Sequence, residues 1–526
     1  MFVLFMPSLA QGQMNNPWLI GYGNWGVRAR IVFDVNNYTL TQENRNMGFE
    51  GTEATVSDKN GNFLMSSNGV WIADATGNVM MNGDSLNPNT FTSSYPKGLL
   101  LPNANVILPY PDDSTKYVLF HHTATWNGTY NPTNEVFYSV IDMTQNGGLG
   151  GVDSTQKNVI AFQDTLNWGL AACRHANGRD WWVVAIKDSS DIAFKMLFTD
   201  VGLASVTSQK LYVPLAWGNV TQPTFSPDGK KFGYTTYVPY QPDSGFICVF
   251  DFDRCSGQFS NARVGFVNTS LLWGFAFSNN SELAYAANTS RIFQFNLNSL
   301  IIDTVAIYDG FCYPNPPWCT TFMFMYLAAN GKIYITSGSG VQHIHEMNYP
   351  DSAGIACDLQ QHAINLGVWS FRAVPNHPNY YLGCDTTSGC PCLVPTTGIN
   401  EIEHDFKFKI FPNPVTNNIL NISYLLPQNK QGLFEIYDVT GKVIFKYILP
   451  QWSNVQSFKL PKLANGIYNC LLTSDNKRVS KKVAVLNESY EAVLLTMQIL
   501  PDIQQYWSGR PDDGMSRATY FLDEMA

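Results

Sequence analysis

Phe225-Ser226-Pro227-Asp228-Gly229-Lys230-Lys231-Phe232-Gly233-Tyr234 reads as the end of one strand, a Pro-Asp-Gly turn and the start of a second strand. Weaker copies of this pattern recur. A turn at Gly61 precedes Phe63-Leu64-Met65, and one at Asp113 precedes Tyr117-Val118-Leu119-Phe120. Gly178 precedes Trp181-Trp182-Val183-Val184, Asn280 precedes Leu283-Ala284-Tyr285, and Gly331 precedes Ile333-Tyr334-Ile335. The intervals between successive turns are 52, 65, 51, 51 and 51 residues, and the long one contains the Gly-rich loop from Gly147 to Gly151.

In each unit a second apolar run follows the first, as in Ile247-Cys248-Val249-Phe250-Asp251-Phe252 or His343-Ile344-His345-Glu346-Met347. A period of about 50 residues with several short strands per unit predicts a β-propeller. Six units are visible. Strands near Trp18 to Phe33 and the stretch from Gly367 to Gly383 stand alone. Pairing them would make a seventh blade from both ends of the domain and remove the open sheet edges that invite aggregation. The expectation is therefore a seven-bladed propeller over residues 17–395.

Composition agrees with an all-β chain of more than one domain. The chain has 526 residues, 45% hydrophobic and 14% aromatic, with 40 Gly. Charged residues make up 14%, below the roughly 25% of ordinary soluble domains. The net charge of -9, with no basic run, excludes nucleic acid as the expected partner. Residues 1–13 combine an apolar patch, Phe2 to Met6, with small residues at Ser8 and Ala10, and read as a truncated signal peptide. No other apolar run approaches the length of a membrane span. Of ten Cys, Cys312 and Cys319 flank a Pro-rich loop, and Cys384, Cys390 and Cys392 crowd one segment. In an exported chain such close pairs read as disulfides rather than zinc ligands, with Cys312–Cys319 the named candidate.

A polar linker at 396–404 leads to a second domain, 405–487. Its alternating runs, its hairpin turn Asp438-Val439-Thr440-Gly441-Lys442 and its edge at Leu463-Ala464-Asn465-Gly466-Ile467-Tyr468 fit a small Ig-like β-sandwich. Phe411-Pro412-Asn413-Pro414, Ile436-Tyr437-Asp438-Val439-Thr440-Gly441-Lys442-Val443, the Gly466-to-Tyr468 edge and Lys481-Lys482-Val483-Ala484-Val485-Leu486 together resemble the type A sorting domain of the type IX secretion system of Bacteroidetes. The resemblance implies passage through the periplasm, recognition by the outer-membrane translocon, then usually removal of the domain and anchoring or release of the protein. It marks Phe411, Pro412, Asn413, Pro414, Asp438, Gly441, Gly466 and Tyr468 as the sorting motif. Residues 488–526 depart from that pattern, because such domains end the chain. They read as an atypical, artefactual tail.

The first domain is similar to uncharacterised surface propellers carrying such tails. The matching residues are Met80-Met81-Asn82-Gly83, Arg174 to Trp182, Asp251-Phe252-Asp253-Arg254-Cys255-Ser256-Gly257, and Pro375-Asn376-His377-Pro378-Asn379-Tyr380-Tyr381-Leu382-Gly383. No activity comes with this resemblance.

Residues capable of chemistry are scattered. His343 and His345, two apart on a strand, could share a face with Asp351 or Cys357 as metal ligands, but read as strand polar residues. Asp58, Asn60 and Asn62 imitate a calcium loop without its closing Glu, and read as a turn. Arg174, His175 and Asp180 lie in a repeat turn and its approach, which favours a structural role. Asp251, Asp253 and Arg254 are expected to form an ion pair at a blade edge. No G-x-S-x-G, H-E-x-x-H or P-loop is present. Trp181-Trp182 and Phe322 to Tyr326 read as blade core. Trp126, Tyr130, Tyr313 and Trp318 fall in loops and are the candidate ligand-binding residues. The resulting expectation is an exported, non-enzymatic propeller that binds a protein or glycan and takes no cofactor or metal. The alternatives are a propeller hydrolase of extracellular polysaccharide or peptide, and a structural adhesin or surface-assembly component.

Overall fold

A computed structural model of the chain describes residues 14–393, apart from 24–25, 35–36, 127–130, 217–221, 239–243, 270 and 315–316. It also describes 408–486, apart from 416–417, 425, 427–430, 451–454 and 475–476. The expected signal peptide, the 396–404 linker, the tail after 487 and Tyr130 lie outside the described residues.

The protein is a β-propeller followed by a β-sandwich. Among the described residues, seven antiparallel sheets of three or more strands succeed one another along the propeller. The first consists of Trp18–Ile20, Val27–Phe33 and Tyr38–Asn44, and the second of Ala54–Ser57, Phe63–Ser67 and Ile72–Ala73. The third has Asn105–Pro109, Lys116–Ala124 and Thr133–Asp142, with Gly151–Val152 and Val159–Leu166 both pairing to its last long strand. Four-stranded meanders follow, opening at Ala171–Arg174, Thr224–Phe225, Gly274–Phe277 and Met325–Leu327.

The six repeated turns join the first and second strands of sheets two to seven. In the opening stretch, Gly229 N–H donates to the Ser226 carbonyl at 2.8 Å and Lys231 N–H to Ser226 Oγ at 2.9 Å. Ser278 repeats this geometry with Leu283 in sheet six. Gly229 has φ 68°, Gly178 80° and Gly331 77°, a left-handed conformation that glycine adopts at little cost. The extra length of the second interval holds the short strand Gly151–Val152, which bridges back to Met81, in the segment that follows the second sheet.

The ring closes differently from the sequence expectation. The first sheet is built from residues 18–44 alone, and residues 371–383 form no strand. Instead Ala373 belongs to the same buried cluster as Leu19, and Val374 to that of Trp18 and Ile20, and the chain runs on as a strap along the propeller axis. Asn376 defines that axis. Its N–H donates to the Glu53 carbonyl (3.0 Å), and its Nδ2 donates to the carbonyls of Asn105 and Leu170 (both 2.9 Å). Tyr326 Oη lies 3.0 Å from its Oδ1. These partners lie at the inner starts of sheets two, three, four and seven. Pro375 and Pro378 have no N–H to give a ladder, so the strap binds through side chains and scattered carbonyls.

A four-stranded meander puts its first and third turns at one end and its second loop and exit link at the other. The propeller therefore has a turn face and a loop face. The strap emerges on the turn face. There Arg254 donates to the Gly383 carbonyl (2.7 Å), Asp385 N–H to the Ala176 carbonyl (2.7 Å), and Asn379 Nδ2 to the Pro227 carbonyl (2.7 Å). Disulfide Cys255–Cys390 ties it down, and Cys384–Cys392 closes a loop within it. Arg254 is thus buried against the strap and the carbonyls of Arg174 and His175, which corrects the expected blade-edge pair. Asp251 pairs with Arg263 instead, at 2.7 Å.

The sandwich stacks Phe408–Phe411, Ile419–Tyr424 and Val455–Lys459 on a sheet ordered Val443–Leu449, Gly432–Tyr437, Gly466–Ser474 and Lys477–Val485. Phe434 and Phe458 stack in its core, 5.2 Å apart. The sandwich docks on the turn face of the propeller. Gln456 accepts from Asn279 Nδ2 (3.1 Å) and donates to Asp351 Oδ2 (3.0 Å), while Asn280 N–H donates to Asp351 Oδ1 (2.8 Å). Burial pushes the Asp351 carboxyl up to about 6 against the effect of those donors.

Replacing Asn376 by Ala leaves several buried groups without partners and should destabilise the propeller by about 3 kcal/mol, visible as a lower thermal midpoint. Asp351→Ala should loosen the docked sandwich and raise amide exchange across Val455–Lys459, whereas Asp351→Asn should leave that exchange close to wild type.

Candidate binding surface on the loop face

Of the four candidate aromatics, the three described lie on the loop face, Trp126 in a loop of sheet three and Tyr313 and Trp318 in the link between sheets six and seven. Trp126 follows Lys116–Ala124 and is 48% exposed. It packs against Phe91 at 4.8 Å and Tyr95 at 6.3 Å. Those rings are held by a one-turn helix, Thr90–Ser93, whose cap Asn89 accepts from Thr92 N–H and donates to the Ala124 carbonyl. The cap therefore fixes the patch to the sheet that carries Trp126.

Tyr313 and Trp318 sit opposite each other on a small hairpin, Cys312–Pro314 and Pro317–Cys319, in the link between sheets six and seven. The expected Cys312–Cys319 disulfide closes it. Tyr313 hydrogen-bonds His343 and leans on Trp369 at 5.6 Å, so it is part of the support. Trp318 is 45% exposed and is the outward ring. Beside the hairpin, Phe311 stacks on His362 at 4.2 Å, and His362 Nε2 lies 3.0 Å from Asp309 Oδ2. Burial and the neighbouring His362 hold His343 below the ordinary histidine range. The patch thus offers an exposed aromatic face with imidazole and carboxylate groups beside it. Sequence reading missed Phe311, His362 and Asp309, since only the fold brings strand Leu359–Ser370 under the hairpin.

Other candidates are engaged elsewhere. His345 is buried, with Nδ1 accepting from His362 N–H and Nε2 near the Thr321 carbonyl, while Asp351 serves the sandwich contact. Among the described residues no group of three or more His, Cys, Asp and Glu is placed to hold a metal ion. Asp58 accepts from the N–H groups of Asn60 and Asn62, as a turn does. Arg174 lies over Trp181 at 4.3 Å and donates to carbonyls, and His175 Nε2 meets the Cys255 carbonyl at 2.9 Å. Trp181 and Trp182 are buried, as expected of blade core.

In the sandwich the motif residues make staples and turns. Asn413 accepts from Ala484 N–H (2.8 Å), and Val415 bridges to Val485, which ties the Phe411-Pro412-Asn413-Pro414 segment to the last strand. Asp438 accepts from Thr440 and Lys442, and Gly441 has φ 82°. Gly466 opens its strand, and Tyr468 is buried with its hydroxyl on the Ala464 carbonyl (2.9 Å). Residues 409–486 match the family model of the secretion system C-terminal sorting domain.

This segment is a type IX sorting domain. The chain carrying it is secreted or held at the cell surface through the type IX system, and the sorting domain is the part that system recognises. No curated protein matches the chain. Among solved structures it is similar to a functionally unknown protein from Desulfotomaculum acetoxidans, with a TM-score of 0.38 and 14% identity over 68% of this chain and 100% of that one. It is also similar to the Dos1 propeller, with a TM-score of 0.34 and 9% identity over 61% and 73%. A third is the periplasmic gluconolactonase of Pseudomonas aeruginosa, with a TM-score of 0.33 and 11% identity over 85% and 99%. No helix of the described residues is long and apolar enough to cross a membrane.

Because both outward rings are half exposed, Trp126→Ala and Trp318→Ala should each change propeller stability by no more than about 1 kcal/mol, checked by thermal melting.

Proposed function

We propose that the exported propeller is a non-enzymatic glycan-binding protein that takes its ligand on the loop face. One observation carries this reading. On the turn face the chain's own strap and sorting domain occupy turns of sheets four to seven, while the loop face keeps exposed aromatic rings beside polar groups. An exposed Trp stacks on the apolar face of a sugar ring, and neighbouring imidazole and carboxylate groups fit its hydroxyls. Two separate patches suit an extended chain touching the surface at intervals. A protein partner would call for one contiguous apolar area.

Glycan-array screening of the full chain, followed by titration of the hits, tests this. Trp318→Ala should weaken binding at least ~10-fold. Trp126→Ala should weaken long oligosaccharides and leave short ones unchanged. Unchanged binding after both replacements rejects the loop-face reading, and turnover of a bound polysaccharide would favour a hydrolase.

A further inference from the structure

Beneath the loop face the axis holds a set of buried oxygen atoms that lack hydrogen-bond donors. Glu53 is fully buried at the start of its strand, and neither carboxylate oxygen has a partner. Its own carbonyl is bound by Asn376 N–H. Its side chain lies on the same side of the strand as that of Thr55, which meets His377 of the strap. Asn105, whose carbonyl also binds Asn376, uses its Nδ2 on the Ser67 carbonyl and leaves Oδ1 without a donor.

The Tyr326 hydroxyl has one proton and two amide oxygens in reach, Asn103 Oδ1 at 2.7 Å and Asn376 Oδ1 at 3.0 Å. Asn103 Nδ2 meanwhile has no acceptor. Turning the Asn103 amide over satisfies its nitrogen on the Tyr326 oxygen, frees the Tyr326 proton for Asn376, and adds Asn103 Oδ1 to the unpartnered acceptors. In either orientation four acceptor positions lack a donor: two on Glu53, one on Asn105, and one on Asn103 or Asn376.

A single proton on Glu53 supplies one donor and leaves the rest unmet. Burial alone drives the Glu53 carboxyl well above its ordinary range, and no cationic side chain opposes that shift. A hard cation answers both deficits, since it replaces several missing donors at once and neutralises the carboxylate. One carboxylate with neutral amide oxygens balances a charge of +1, whereas a divalent ion would leave a net buried charge. We propose that this axial cluster binds one monovalent cation of the sodium class, with Glu53 as its charged ligand and Asn103 and Asn105 as neutral ones.

The test uses the purified full chain in sodium, potassium or choline chloride at equal ionic strength. The thermal midpoint should rise by roughly 3 °C from choline to sodium, and Glu53→Gln should abolish that difference while still folding. Sodium-23 NMR on the wild-type chain gives a readout independent of any variant, as line broadening that potassium or excess sodium competes away. Equal midpoints in all three salts with no broadening overturn the proposal. So does a Glu53→Gln chain that keeps the sodium response. A Glu53→Gln chain more stable than wild type in every salt identifies Glu53 as a protonated acid and also overturns it.

Discussion

The propeller depends on what Asn376 does at its axis. One side chain and one amide join the inner starts of four sheets. In a ring of sheets each blade packs only on its neighbours, so the axis is where a local loss becomes a loss for the whole ring. Low dielectric strengthens those hydrogen bonds, and it also makes each one costly to leave unmade. Filling the channel with the chain's own residues has a second effect. The axial funnel of the propeller, an obvious place for a ligand, is closed by protein, and the accessible chemistry moves to the rim.

The two faces of the ring are unequal for the same reason. The strap leaves the axis among the turns of sheets four and five, and the sorting domain rests on the turns of sheets six and seven. Residues from three stretches singled out in the sequence converge there. Arg174 bonds the Tyr380 carbonyl, Arg254 bonds the Gly383 carbonyl, and Cys255 is joined to Cys390. Arg174 and His175, read from the sequence as structural, help to hold this seam together.

What could be read beforehand follows from the range of the interactions involved. The turn at Gly229 and its copies were visible because a left-handed residue and a Ser or Asp side chain settle the turn within six residues. The first sheet was placed wrongly because strand pairing had to be guessed, and Pro375 and Pro378 rule out the ladder that symmetry suggests. The axial hub was out of reach: Asn376 bonds partners 206 and 271 residues away, and nothing in Pro-Asn-His-Pro announces them. Trp126 and Trp318 were legible as outward rings, since loop position predicts exposure. Their separation into two patches, and the place of His362 and Asp309 beside one of them, required the fold. The sorting motif was legible throughout because its hairpin turn and its staple to the last strand are local or depend on chain order.

The disulfides also set the path that mechanical load takes through the molecule. A pull arriving from the sorting domain meets Cys392 first, and from there passes to Cys384 and, through Cys390, to Cys255 in the fifth sheet. Covalent links therefore carry tension to the fifth sheet before it reaches the strap residues buried with the first sheet. These bridges persist in oxidising surroundings, outside the cytosol. A chain tethered at a cell surface by its C-terminal end gains this covalent path only after it has left the compartment where it was made.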